Sequence, residues 1–149
     1  MIRAALRLLV DHLTPALIIG GLASWWFQDW RLIGVGLLTG WLIDADHLVD
    51  FAYFLRHRNP GAFDCSMLTT GAYFRLNGKV IVPFHSWELA LLWALVWSWA
   101  GEIGIAMTGS LAWMAHLIHD QLSYRVTPLG YFFLYRAKHC FDYAGFCSK

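Results

Sequence analysis

Acids and imidazoles recur inside stretches of this chain that are otherwise apolar: Asp11 and His12; Asp44, Asp46, His47 and Asp50; His85 and Glu88; His116, His119 and Asp120. Carboxylate and imidazole are the donors that zinc accepts together. No thiolate stands among them, so manganese and iron are alternatives to zinc. A bound divalent ion acidifies water and polarises a bond to be hydrolysed. Ionised groups in hydrocarbon are costly, and they are normally turned inward and given partners. One or two metal ions would neutralise several of these carboxylates at once.

The elements that must position them follow from composition. The 149 residues are 58% hydrophobic and 14% charged, with nine tryptophans. Soluble domains run nearer 45–50% apolar and about 25% charged, so the chain reads as an integral-membrane protein. Its length suits one bundle, a single domain over 1–149. A net charge of +1 and the lack of any basic tract exclude nucleic acid as an expected partner. Membrane lipids are the expected surroundings, and nothing in the sequence sets an oligomeric state.

The predicted fold is all-α and polytopic, with four transmembrane helices at about 4–27, 30–55, 83–100 and 103–124. The start of the chain reads as a retained first helix rather than a signal peptide, because Asp11 and His12 interrupt its apolar run. Gln28-Asp29 and Gly101 make short joints, so neighbouring helices run antiparallel. Pro83 suits the first turn of the third helix. Gly20, Gly21, Gly34, Gly36 and Gly40 suggest close contact of the first two helices. Between the second and third helices, 73–82 reads as a β-hairpin about Asn77-Gly78. After Thr127-Pro128, the aromatic tail 128–146 reads as an interfacial segment on the membrane surface.

With both termini in the cytoplasm, ten of the eleven Lys and Arg residues lie inside and only Arg31 outside, which fixes the orientation in an inner, cytoplasmic membrane. Cys65, Cys140 and Cys147 then sit in or beside a reducing compartment and read as free thiols.

Each polar group falls in the cytoplasmic half of its helix. At about 100° per residue, Asp46, His47 and Asp50 share an arc of about 100°, with Asp44 about 60° further round. His85 and Glu88 are three apart and share a face, as do His116 and Asp120, four apart, with His119 alongside. The candidate metal ligands are therefore His12, Asp44, Asp46, His47, His85, His116 and Asp120. Asp50 is read as a ligand or as an ion-pair partner of Arg56. Glu88 and His119 are the candidates for moving a proton. Arg58, Arg75 and Lys79 in the connection could meet a phosphate headgroup, although topology and anionic lipid also explain cations there.

The chain resembles the inner-membrane metal-dependent hydrolases whose family name includes LexA binding. The resemblance rests on His12 early in the first helix, Asp44-Ala45-Asp46-His47 ending the second, His85-Ser86 opening the third, and His116-Leu117-Ile118-His119-Asp120 closing the fourth. It covers about Asp11 to Leu134. Ile43 stands where the family usually has Pro, and Val82-Pro83-Phe84 where it has His-Arg-Gly. The resemblance implies a metal-dependent hydrolase and says nothing of LexA for this chain. A site opening to the cytoplasmic half of the bilayer suits a lipid-like or other small-molecule substrate, with 73–82 as a lid. Two other classes stay open: a di-iron or haem redox protein, and a metal-ion or proton transporter.

Overall fold

A computed structural model describes the backbone of residues 2–58, 67, 71–124 and 126–146, and their side chains except those of 2–9 and 58. The described chain is helical: α1 (Ile2–Phe27), α2 (Arg31–Trp41), a 3-10 segment (Leu42–Asp46), α3 (His47–Arg58), α4 (Ala72–Asn77), α5 (Trp87–Trp99), α6 (Ile103–Ser123), α7 (Phe133–Lys138) and α8 (Tyr143–Phe146). Among the described residues, one helical stretch is long and apolar enough to cross a membrane: Arg31–His57, running through α2, the 3-10 segment and α3. Of its most apolar window, 33% is buried within the protein.

α1, α2 and α6 pack mutually, and α5 packs on α6. Small residues permit the first contact. A Cβ on Gly36 would meet the Ala16 carbonyl oxygen at 2.7 Å, and one on Gly20 would meet the Ile33 Cα at 2.9 Å. Gly40 faces Ala16, whereas Gly21 and Gly34 face open space. The joints lie where expected: Gln28 (φ 54°) leads into α2, and Gly101 (φ 82°) separates α5 from α6. The Asp29 carboxylate accepts from the Arg31 backbone N–H and guanidinium, which holds its pKa below the ordinary carboxylate value.

Four local expectations are corrected. First, 30–55 is not one uniform α-helix, because Leu42–Asp46 tightens to 3-10. Three residues per turn set positions i and i+2 about 120° apart, where an α-helix would set them about 160° apart. Asp44 and Asp46 can therefore serve one polar region from different sides.

Second, 73–82 is not a hairpin. Residues Ala72–Asn77 form α4, and Gly78 (φ 69°) ends it, its N–H bonding the Phe74 carbonyl at 2.9 Å. A left-handed glycine closes a helix as readily as it makes a hairpin turn. The β-prone residues beyond it pair with the tail instead: Val80 N–H donates to the Phe141 carbonyl, and Tyr143 N–H to that of Gly78.

Third, Pro83 does not open the third helix. Residues 80–86 form a non-helical strap, and α5 starts after Ser86, whose Oγ caps Leu89 N–H at 3.3 Å. His85 and Glu88 consequently do not share a helical face.

Fourth, the tail is more than a surface layer. Val126, Tyr131 and Phe146 join Ile43, Val80, Val82 and Leu117 in one buried cluster, and Arg136 is buried with them. Buried non-helical backbone needs partners for every polar group. The strap finds them in Asp46 and Asp50 for its N–H groups, and in Arg136 and Trp113 for its carbonyls.

Candidate metal centre

Three elements deliver four ligand residues to one place. The 3-10 segment brings Asp44, the strap brings His85, and α6 brings His116 and Asp120 one turn apart. His85 Nε2 lies 3.6 Å from Asp44 Oδ1 and 3.3 Å from Asp120 Oδ2. His116 Nε2 lies 3.4 Å from each of the same two oxygens. Both Nε2 atoms are sealed from solvent and make no hydrogen bond among the described residues. Bonds of about 2.0–2.1 Å at tetrahedral angles place neighbouring ligand atoms about 3.3–3.4 Å apart, so these separations fit four donors around one zinc-sized ion. The donor set, two imidazoles and two carboxylates, is of the kind such an ion takes.

The far side of each imidazole is fixed. His85 Nδ1 lies 3.0 Å from Asp46 Oδ1, and a carboxylate can only accept, so Nδ1 carries a proton and Nε2 is the nitrogen left to face a metal. His116 Nδ1 donates to the Gly40 carbonyl at 2.9 Å, with the same result. Such partners orient metal-binding histidines and raise their basicity. The close approach of α1 and α2 at Gly40 thus bears directly on the site.

The remaining predicted residues separate by role. Asp46 holds His85 from behind and accepts from the Phe84 and His85 N–H groups, so it is not among the four converging donors. Asp50 is not paired with Arg56; its two oxygens accept from Ile81 N–H at 2.9 Å and Val82 N–H at 2.6 Å. Glu88 turns away from the cluster. It accepts from Ser86 Oγ and from the Phe133 and Leu134 N–H groups, tethering the start of α7, so its proton-moving role is withdrawn.

His47 stands at the rim, its side chain 31% exposed, with Nε2 3.6 Å from Asp44 Oδ1 and Nδ1 2.7 Å from the Tyr73 hydroxyl. His12 and His119 lie on the opposite flank of Asp120. Arg75 and Lys79 are exposed on and just after α4, while the Arg58 side chain falls outside the described residues, as do Cys65 and Cys147. Cys140 is a free, exposed thiol.

Sequence reasoning missed three supports of the site: the Gly40 carbonyl, the Tyr73 hydroxyl and Arg136. The buried Arg136 guanidinium donates to the carbonyls of Ile81, Val82 and His85 at 2.7–3.1 Å, and its burial pulls its pKa below the ordinary arginine value. Nothing in a single sequence marks any of these, because each acts through a backbone group or a contact distant along the chain.

No family model, curated protein or solved structure matches the chain. The case for a metal centre therefore rests on the convergence of Asp44, His85, His116 and Asp120.

Proposed function

We propose that this chain is a membrane-embedded, metal-dependent hydrolase acting on a phosphate-bearing, lipid-like ester at the cytoplasmic face. The observation that carries the reading is the pair of unpartnered imidazole Nε2 atoms facing two carboxylate oxygens at the separations of neighbouring metal ligands. Asp44, His85, His116 and Asp120 would hold a divalent ion, zinc in the first place, which supplies acidified water and polarises the scissile bond. The site has an open edge, since the Asp44 side chain is 28% exposed, and this suits reaction better than a purely structural role.

His47 is the proton-moving group best placed for hydrolysis. In the tautomer whose Nδ1–H donates to the Tyr73 oxygen, 2.7 Å away, Nε2 would take a proton from the attacking water and return it to the departing oxygen. Arg75 and Lys79 sit on the segment that carries Tyr73, close in sequence to this rim, where cations suit an anionic headgroup. Four crossings, by α1, by α2 with α3, by α5 and by α6, with both termini cytoplasmic, agree with the Lys and Arg distribution. Outward-facing Trp25, Trp26, Trp30 and Trp99 at the α1–α2 and α5–α6 joints suit the opposite interface.

The test is elemental analysis of the purified, detergent-solubilised protein, followed by release of phosphate esters from anionic phospholipid vesicles with and without chelator. Bound zinc, manganese or iron with chelator-sensitive turnover is expected, and His116→Ala should abolish both. A wild-type protein that retains no divalent metal after reloading would overturn the reading.

A further inference from the structure

Asp120 has two carboxylate oxygens, and only Oδ2 faces the four-donor set. Oδ1 points the other way, is sealed from solvent, and has no hydrogen-bond partner among the described residues. On that side it meets two more imidazoles. His12 Nε2, from α1, lies 3.8 Å away, and His119 Nδ1, the residue before Asp120 on α6, lies 3.7 Å away. His119 Nδ1 is likewise buried and unpartnered, although its side chain as a whole is 35% exposed. The His12 and His119 rings meet edge to face, with centroids 5.1 Å apart.

These separations are too long for hydrogen bonds. They fall near the roughly 3.6 Å expected between donors on bonds of about 2.1 Å opened to about 120°. His12 Nδ1 lies 3.1 Å from His116 Nδ1, so the second nest shares one wall with the first. Resting on the metal-centre reading above, we infer that His12, His119 and Asp120 Oδ1 bind a second divalent cation, with the Asp120 carboxylate bridging the two ions. His119 then serves as a ligand and not as the proton carrier. Three protein donors leave coordination positions for water or a substrate oxygen, and the partial exposure of His119 provides the approach. The ligand class is a small divalent cation that takes mixed nitrogen and oxygen donors, zinc or manganese.

Two readouts test this without reference to turnover. The wild-type protein, stripped and reloaded with manganese in detergent, should hold two ions per chain by elemental analysis and show an exchange-coupled electron paramagnetic resonance signal. His119→Ala should hold one ion and show the uncoupled six-line pattern. His12→Gln should do the same, and serves if His119→Ala does not fold. One ion in the wild type, unchanged in His119→Ala, overturns the second site and leaves the first standing. No ion in the wild type overturns both.

Discussion

Asp46 and His85 are joined twice: the Asp46 carboxylate accepts the imidazole Nδ1–H of His85 at 3.0 Å and the backbone N–H of the same residue at 3.1 Å. One acid therefore fixes both where His85 sits and which nitrogen it offers. Asp46 also accepts Phe84 N–H at 2.6 Å, so it secures the strap on either side of the residue it orients.

The first prediction follows from that double attachment. Asp46→Asn keeps the shape but offers His85 a single acceptor oxygen and an amide donor. Loss of such an orienting partner costs about 10–100-fold in metal affinity. The variant should hold metal at saturation and release it to a competing chelator about 10–100-fold more readily than the wild type. Complete loss of metal from a folded Asp46→Asn protein would make Asp46 a direct ligand.

Glu88 and the putting together of the tail give the second. Its carboxylate takes the first N–H groups of α7 and the Ser86 hydroxyl, and does not reach the converging donors. Glu88→Ala should lower stability by about 1–3 kcal/mol, the cost of stripping charged acceptors from part-buried donors. Metal content should be unchanged. Faster hydrogen exchange confined to 126–146 is the expected signature, and a loss of bound metal at unchanged stability would return Glu88 to the site.

How much of this was legible in the sequence divides along physical lines. The acids and imidazoles announced themselves, because polar groups in apolar stretches demand partners, and Asp44, His85, His116 and Asp120 do converge. The helix joints were legible from Gln28-Asp29 and Gly101. What periodicity could not show was the strap. Pro83 reads equally as a helix start or as the end of an extended segment, and only tertiary partners decide. Once most of residues 80–86 is buried outside a helix, its N–H groups need acceptors, and Asp50 and the candidate ligand Asp46 supply them. Angular placement on an ideal helix also failed at Leu42–Asp46, where the 3-10 pitch changes which acids face together. The hairpin reading failed because Asn77-Gly78 terminates a helix with the same left-handed glycine that a turn requires.

A third prediction concerns the contact behind His116. A Cβ at Gly36 would meet backbone atoms of α1 at 2.7 and 3.1 Å, which cannot move without shifting a helix, while one at Gly34 meets nothing within 4 Å. Gly36→Ala should destabilise by about 1–3 kcal/mol, the usual range for overpacking. Gly34→Ala should be neutral or slightly stabilising, since alanine is the better helix former. Because Gly40 on the same face supplies the carbonyl that orients His116, Gly36→Ala should also weaken metal binding, whereas Gly34→Ala should not. Thermal unfolding and chelator competition on the pair read both effects, and equal behaviour of the two variants would refute the coupling.

The last prediction separates charge from shape at Arg136. Its planar guanidinium reaches three strap carbonyls at once, two through Nη1 and the third, that of His85, through Nη2. A lysine ammonium is compact and cannot span that fork. Arg136→Lys should therefore satisfy some of the carbonyls and lose about 1.5–3 kcal/mol, the worth of one charge-assisted hydrogen bond. Arg136→Met fills the stem's volume but leaves all three carbonyls without their donor, so it should cost more. Both variants loosen the strap that carries His85, and metal affinity should fall in the order wild type, Lys, Met. If metal affinity instead stays constant while stability falls, Arg136 holds the tail alone, and the strap is kept in place by Asp46 and Asp50 without it.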